Sequence, residues 1–308
     1  SPLPAADFLQ SAGQLPVLDI RSPGEYAKGH IPGALSFPLF SNDERAIIGT
    51  LYKQKGHDTA VRTGLEMIAP KMVGFVDTAR ELIGNAEAIN LYCWRGGMRS
   101  GSMAWLLSTA GMKVNLLTGG YKAFRAHARQ QLLTDGRFLI LGGYTGSAKT
   151  HILQLMQERG AQMIDLEGIA NHKGSAFGNL LDDPQPTSEH FANRVWQKLS
   201  EQDLSRPIWL EDESRHIGSV WLDVEFAHRI SNGRVIALQR SRAERAEFLA
   251  HDYGDIDRKT LAYGFEKISR KLGGENFKRA AEAALKGDLF TAADIGLGYY
   301  DKAYEHGL

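Results

Sequence analysis

Short runs dominated by apolar residues alternate along this chain with longer stretches whose apolar positions recur every three or four residues. Segments 17–20, 89–92 and 114–117 are such runs in the first half, and 138–141, 163–165, 208–210 and 235–238 in the second. Their length and their polar or glycine boundaries predict buried strands. The helical spacing falls between them, over 98–110, 121–133, 149–159, 189–200 and 242–250. Strands that alternate with helices predict an α/β fold, with parallel sheets covered by helices on both faces. Such sheets bind ligands in loops beyond the carboxyl ends of their strands. The polar break Thr134-Asp135-Gly136 predicts a boundary between residues 1–134 and 135–308. Residues 255–308 read as helical and more basic, and no internal repeat or low-complexity segment is visible.

Composition fits this picture. At 308 residues the chain exceeds what a single core readily supports, and 43% hydrophobic with 23% charged residues is ordinary for a globular protein. One Cys excludes an internal disulfide framework and a Cys-based zinc site, so a reducing, cytoplasmic setting is expected. No apolar run approaches the roughly 20 residues of a membrane span. Ser1-Pro2-Leu3-Pro4 has no basic segment followed by an apolar one, so no signal peptide is expected. The net charge of zero by itself argues against nucleic acid. That sum hides local structure: residues 258–286 carry a net of +5, and 121–133 carry three basic residues and no acid. A charge run on a helix is commonly a solvated face, but Lys267, Arg270 and Lys271 are candidate phosphate contacts. Tyr253, Tyr263, Phe265, Tyr299 and Tyr300 are core candidates or stacking platforms for an unpaired base.

Two loops carry candidate chemistry. In Tyr92-Cys93-Trp94-Arg95-Gly96-Gly97-Met98-Arg99-Ser100 a strand runs into a helix with the sole Cys at the turn. Amides at a helix start attract an anion, and Arg95 and Arg99 favour the thiolate. Gly96 and Gly97 let the backbone wrap a ligand, so Cys93 is the candidate nucleophile and Arg95, Gly96, Gly97 and Arg99 its anion cradle. The second loop, Gly142-Gly143-Tyr144-Thr145-Gly146-Ser147-Ala148-Lys149-Thr150, nearly matches G-x-x-x-x-G-K-[ST] between a strand and a helix. Gly143, Gly146, Ser147, Lys149 and Thr150 are its candidate phosphate ligands, with Thr150 able to hold Mg²⁺. Ala148 replaces the last glycine and would be strained if that position needs positive φ. Asp165, Glu167, Glu211 and Asp212 follow strands and are candidates for a base or a Mg²⁺ site, or else caps and solvated acids.

The pattern Asp19-x-Arg21 through Glu25-Tyr26 to Gly29-His30-Ile31-Pro32-Gly33-Ala34, the cysteine loop and Leu117-Thr118-Gly119-Gly120-Tyr121 together resemble a rhodanese domain over residues 5–133. The resemblance implies structural roles for Asp19 and Arg21, a loop-fixing role for His30, and chemistry at Cys93. Cys93 and Arg99 are spaced C-x5-R, one longer than in common rhodaneses, which resembles cradles for a tetrahedral phosphate. A rhodanese domain followed by a phosphate loop resembles the tRNA 2-selenouridine synthase family. Residues 41–54, Asp165-Leu166-Glu167-Gly168, His172-Lys173 with 174–178, and Glu211 to Arg215 support that match.

This resemblance implies a rhodanese-like parallel sheet with helices on both faces, then a P-loop NTPase-like α/β domain with a helical C-terminal segment. It implies a transferase that converts wobble 2-thiouridine of tRNA into 2-selenouridine through an S-geranyl intermediate. Its co-substrates are geranyl diphosphate and selenophosphate, with no tightly bound cofactor, Mg²⁺ as a candidate ion, and the synthase that makes selenophosphate as a candidate partner. His172, Lys173 and Arg215 become candidate tRNA or diphosphate contacts. A rhodanese-type sulfurtransferase with an ATP-binding regulatory domain is the alternative; a nucleotide sensor and a Cys-based phosphatase fit less well.

Overall fold

The computed structural model describes residues 1–172 and 184–307. The chain divides into two compact units, Ser1–Leu132 and Leu133–Leu308.

The first unit is built on a five-stranded parallel sheet. Its strand order is Pro2–Leu3, Lys113–Leu117, Ala88–Tyr92, Val17–Asp19, Leu35–Ser36. The predicted runs form its three central strands because Leu18, Ile89, Leu91 and Leu117 are almost wholly withdrawn from water. Helices Met98–Thr109 and Gly120–Leu132 occupy the predicted segments. Three helices between Leu35–Ser36 and Ala88–Tyr92, namely Asn42–Lys55, His57–Ile68 and Met72–Ile83, lie in a stretch without strand signals. The first of them opens with a capping box, in which Ser41 and Glu44 satisfy each other's backbone N–H groups.

The second unit carries a four-stranded parallel sheet ordered Arg234–Ala237, Phe138–Gly142, Ile208–Glu211, Gln162–Met163. The run at 163–165 does not extend as a strand through Asp165. That residue instead caps the helix Leu166–Ala170, its carboxylate accepting from Gly168 N at 2.7 Å. A two-stranded antiparallel ribbon, His216–Ile217 with Val220–Trp221, stands apart from this sheet. Beyond it come helices Arg242–Asp252, Arg258–Lys267, Ser269–Leu272, Gly274–Lys286 and Leu289–Gly307. The last four enclose a small core of their own around Leu261, Phe265, Ile268 and Ala280.

Candidate functional site

In the first unit, Cys93 ends the central strand Ala88–Tyr92 and is 2% exposed. The loop after it is clamped from the Gly119-Gly120 turn: Tyr121 N donates to the Cys93 carbonyl at 2.8 Å and Lys122 N to that of Trp94 at 3.0 Å. Gly96 sits at φ +65, and a Cβ there would lie 2.7 Å from Leu117 O, so only glycine fits. Gly97 precedes helix Met98–Thr109 with open space beside it. The Ser100 hydroxyl lies 3.2 Å from Cys93 Sγ. Burial opposes ionisation of the thiol, but the Ser100 hydroxyl, the Arg99 charge and the amides of Arg95 and Ser100 outweigh it. The thiol is thereby held below its ordinary value, which favours the nucleophilic thiolate.

The two arginines of the cradle differ. Arg95 contributes its amide and is exposed, whereas Arg99 is held at 3.3 Å by Glu25, itself 3.6 Å from Arg45. Burial raises the Glu25 carboxyl, but the Ser22 amide and both arginines more than offset this and lower it. Asp19 and Arg21 form a fully buried ion pair at 2.6 Å. Arg21 also donates to Gly29 O at 2.6 Å and lies 3.8 Å from the centre of the Tyr121 ring, while Tyr92 donates to Asp19 at 2.7 Å. This network anchors the strand before Cys93 to the turn that clamps its loop. The His30 ring stacks on Tyr26 at 3.8 Å and meets the Tyr26 carbonyl at 3.0 Å, a contact that fixes the loop.

In the second unit the phosphate loop leaves the carboxyl end of Phe138–Gly142, and the neighbouring strand ends alongside at Glu211. Gly143 and Gly146 sit at φ +145 and +81. Ser147 is 1% exposed and donates to Tyr144 O at 2.6 Å. Ala148 is left-handed, at φ 64 and ψ 32, immediately before helix Lys149–Glu158. A Cβ in that conformation costs about 1–2 kcal/mol. Lys149 Nζ donates to Gly143 O at 3.1 Å, curled over the loop whose amides it completes.

Three glutamates converge beside Lys149. Ligand oxygens of Glu167, Glu211 and Glu213 all lie within 4.8 Å of one another. Burial, then mutual repulsion, raises Glu167 and Glu213 strongly, against the pull of Lys149. Glu211 is also raised, first by burial, while bonds from Thr150 and the Lys149 charge counter it. Its Oε1 is buried without a hydrogen-bond partner. Hard oxygen donors gathered about an unpaired buried carboxylate oxygen suit a divalent cation such as Mg²⁺. Glu213 belongs to the acidic run at the end of strand Ile208–Glu211, with Glu211 and Asp212. The chain turns tightly at Asp212, where Glu213 N donates to Glu211 O at 2.9 Å, and both glutamates come to lie beside Glu167. Asp212 points elsewhere and accepts from Tyr304 at 3.3 Å.

The remaining candidates scatter. His172 is 7% exposed, with its pKa lowered by burial and by Lys267. Lys173 lies outside the described residues. Arg215 packs 5.7 Å from the Trp221 ring centre and donates to Leu222 O. Lys267, Arg270 and Lys271 are exposed. Tyr253, Phe265, Tyr299 and Tyr300 pack in the C-terminal core, and Tyr263 is 57% exposed. Among the described residues no helix is long and apolar enough to cross a membrane.

Comparison with known proteins accounts for both units. The family model for the tRNA 2-selenouridine synthase AAA domain matches residues 136–290, and that for the rhodanese-like domain matches residues 4–127. The tRNA 2-selenouridine synthase of Nitrosomonas europaea is 34% identical over 87% of this chain and 79% of that protein. The synthase of the same name from Marinobacter nauticus is 30% identical over 96% of this chain and 88% of its own length. That from Shewanella denitrificans is 35% identical over 92% and 76%. With a thiol loop in one unit, a phosphate loop in the other and this similarity along nearly its whole length, the chain belongs to the tRNA 2-selenouridine synthase family.

Proposed function

We propose that this enzyme converts wobble 2-thiouridine of tRNA into 2-selenouridine, passing through an S-geranyl intermediate. The observation that carries the reading is the presence of two anion sites with different chemistry. One is a phosphate loop completed by Lys149, and the other is a cradle centred on the acidified thiol of Cys93.

The phosphate loop takes the diphosphate of geranyl diphosphate. The thiocarbonyl sulfur of the base attacks the allylic C1, the C1–O bond breaks, and its electron pair leaves on diphosphate while the base loses its N3 proton. Amides of residues 143–148 and the Lys149 ammonium stabilise the charge that develops on the leaving group. Glu167, Glu211 and Glu213 are the residues that would hold a divalent cation, which when bound supplies further positive charge at the diphosphate.

Selenophosphate takes the cysteine cradle, whose C-x5-R spacing suits a tetrahedral anion. The Cys93 thiolate attacks phosphorus, the P–Se bond breaks, and selenium departs as hydrogen selenide after taking a proton. Water then hydrolyses the phosphocysteine. This route balances without an oxidant, whereas a perselenide on Cys93 would require removal of two electrons from selenide. Hydrogen selenide adds at C2 of the geranylated base, and the geranylthio group leaves with the C2–S electron pair. The exposed Lys267, Arg270 and Lys271 offer phosphate contacts for the tRNA.

The test is mass analysis of wobble nucleosides after 2-thiouridine tRNA meets geranyl diphosphate and then selenophosphate. The expected products are S-geranyl-2-thiouridine, then 2-selenouridine. Cyanide-dependent turnover of thiosulfate through Cys93, with neither nucleoside formed, would instead establish the sulfurtransferase alternative.

A further inference from the structure

An apolar cleft adjoins the phosphate loop. It encloses a narrow cavity of about 60 Å³. Leu249, Tyr253, Phe265, Leu297 and Tyr300 line it, from helices Arg242–Asp252, Arg258–Lys267 and Leu289–Gly307 and the turn after the first. Thr145, in the middle of the phosphate loop, forms part of the same wall. Contact between cleft and loop is close: a Cβ on Gly146 would lie 3.0 Å from Leu249 Cγ. Among the described residues no charged side chain lines the cleft.

Such a wall offers few partners to the ring nitrogens and amino group of a nucleotide base, which would lose hydrogen bonds on entering it. A hydrocarbon chain has none to lose and gains by leaving water. We infer that this cleft receives the hydrocarbon tail of a diphosphate ester whose head sits on the phosphate loop, so that the C-terminal helices select the tail. The inference rests on the reading that the loop binds a diphosphate, and it adds the site and the chemistry that distinguish one diphosphate ester from another. Gly296 places backbone at the cleft wall, where an added Cβ would stand 3.4 Å from Phe265 Cε1. A larger side chain there projects into the cleft and leaves the phosphate loop untouched.

The experiment measures calorimetric affinities of the full chain for inorganic diphosphate, geranyl diphosphate and ATP. The parent should bind geranyl diphosphate about tenfold or more tighter than inorganic diphosphate, as burial of a C10 chain requires. Gly296→Leu should erase that advantage while keeping the parent affinity for inorganic diphosphate. Retained diphosphate binding also reports a folded loop, and Ala293→Leu, one helical turn away on the same wall, serves if Gly296→Leu does not fold. Equal parental affinities for the two diphosphates would overturn the tail site alone. So would a loss of ATP affinity in Gly296→Leu with the geranyl advantage intact, which would assign the cleft to a base. Failure of the parent to bind inorganic diphosphate at all would overturn the diphosphate reading and the tail site with it.

Discussion

Arg245 holds Asp301 in a two-point ion pair, with both N···O distances at 2.8 Å, and the same guanidinium donates to Thr145 O at 3.1 Å. Arg245 is 4% exposed, so Asp301 is what compensates its buried charge. The pair therefore fastens the last helix to the middle of the phosphate loop. Tyr304, one turn further along, reinforces it by packing its ring at a tilt against Tyr144, 4.8 Å between centres, and donating to Asp212.

Asp301→Ala should destabilise the second unit by about 3 kcal/mol, toward the low end for a broken buried pair because Asp301 keeps 21% of its side chain exposed. Urea denaturation measures the loss. Diphosphate affinity should fall as well, since Thr145 loses its anchor. An unchanged midpoint would remove the pair from any structural role.

Ala148→Gly should stabilise the protein. The left-handed backbone at φ 64 strains alanine by about 1–2 kcal/mol, while glycine gives back about 0.5–1 kcal/mol through its freer unfolded chain. A net gain of about 0.5–1 kcal/mol should appear as a higher denaturation midpoint. A lower midpoint would mean that the loop relaxes to accommodate alanine.

Lys149→Ala should weaken inorganic diphosphate by about 1.5–3 kcal/mol, the range for a hydrogen bond to a charged group, and geranylation should fall with it. Normal geranylation in that variant would move the diphosphate elsewhere.

Cys93→Ser should abolish selenation and spare geranylation, because the proposed route uses the thiol only in its second step. The thiol itself can be followed by its alkylation rate against pH. The Cys93 pKa is lowered, so the folded protein forms thiolate below the ordinary thiol range, and the stability this contributes is lost as pH falls through the folded value. Ser100→Ala and Arg99→Gln each remove a stabiliser of the thiolate and should shift the alkylation profile to higher pH. Profiles that coincide with the parent would leave the thiol without these partners.

Glu167, Glu211 and Glu213 are all raised, which gives the opposite sign. The folded state holds protons that the unfolded chain releases, so metal-free stability should decline as pH rises above the ordinary carboxylate range. Glu167→Gln should flatten that decline. Mg²⁺ binding near neutral pH should expel protons, measurable by calorimetry in buffers of different ionisation heat. Binding with no proton release would place the cation away from these glutamates.

The first unit was largely legible from local pattern. The central runs became strands because their own residues are apolar enough to require burial, and Cys93 sits where a strand gives way to a glycine turn. The phosphate loop was equally visible, since Gly143, Gly146 and Lys149 lie within a few residues of one another. Helices Asn42–Lys55 and His57–Ile68 were harder: they bury few residues, and their apolar stripe is thin. For Asp165 the sequence left a base, a Mg²⁺ ligand and a cap open; its carboxylate caps a helix, because a carboxylate before a helix finds the nearest free amide.

The sequence by itself determined the two loops, the strand–helix alternation that presents them, and a family resemblance that the relatives now support. Those depend on neighbours in the chain. Only the tertiary structure decided that Glu213 joins Glu167 and Glu211, that Arg245 reaches across 56 residues to Asp301, and that an apolar cleft opens at Thr145. Each of these depends on residues far apart in sequence being packed together. Local periodicity records which face of an element is apolar, but not which distant face it will meet.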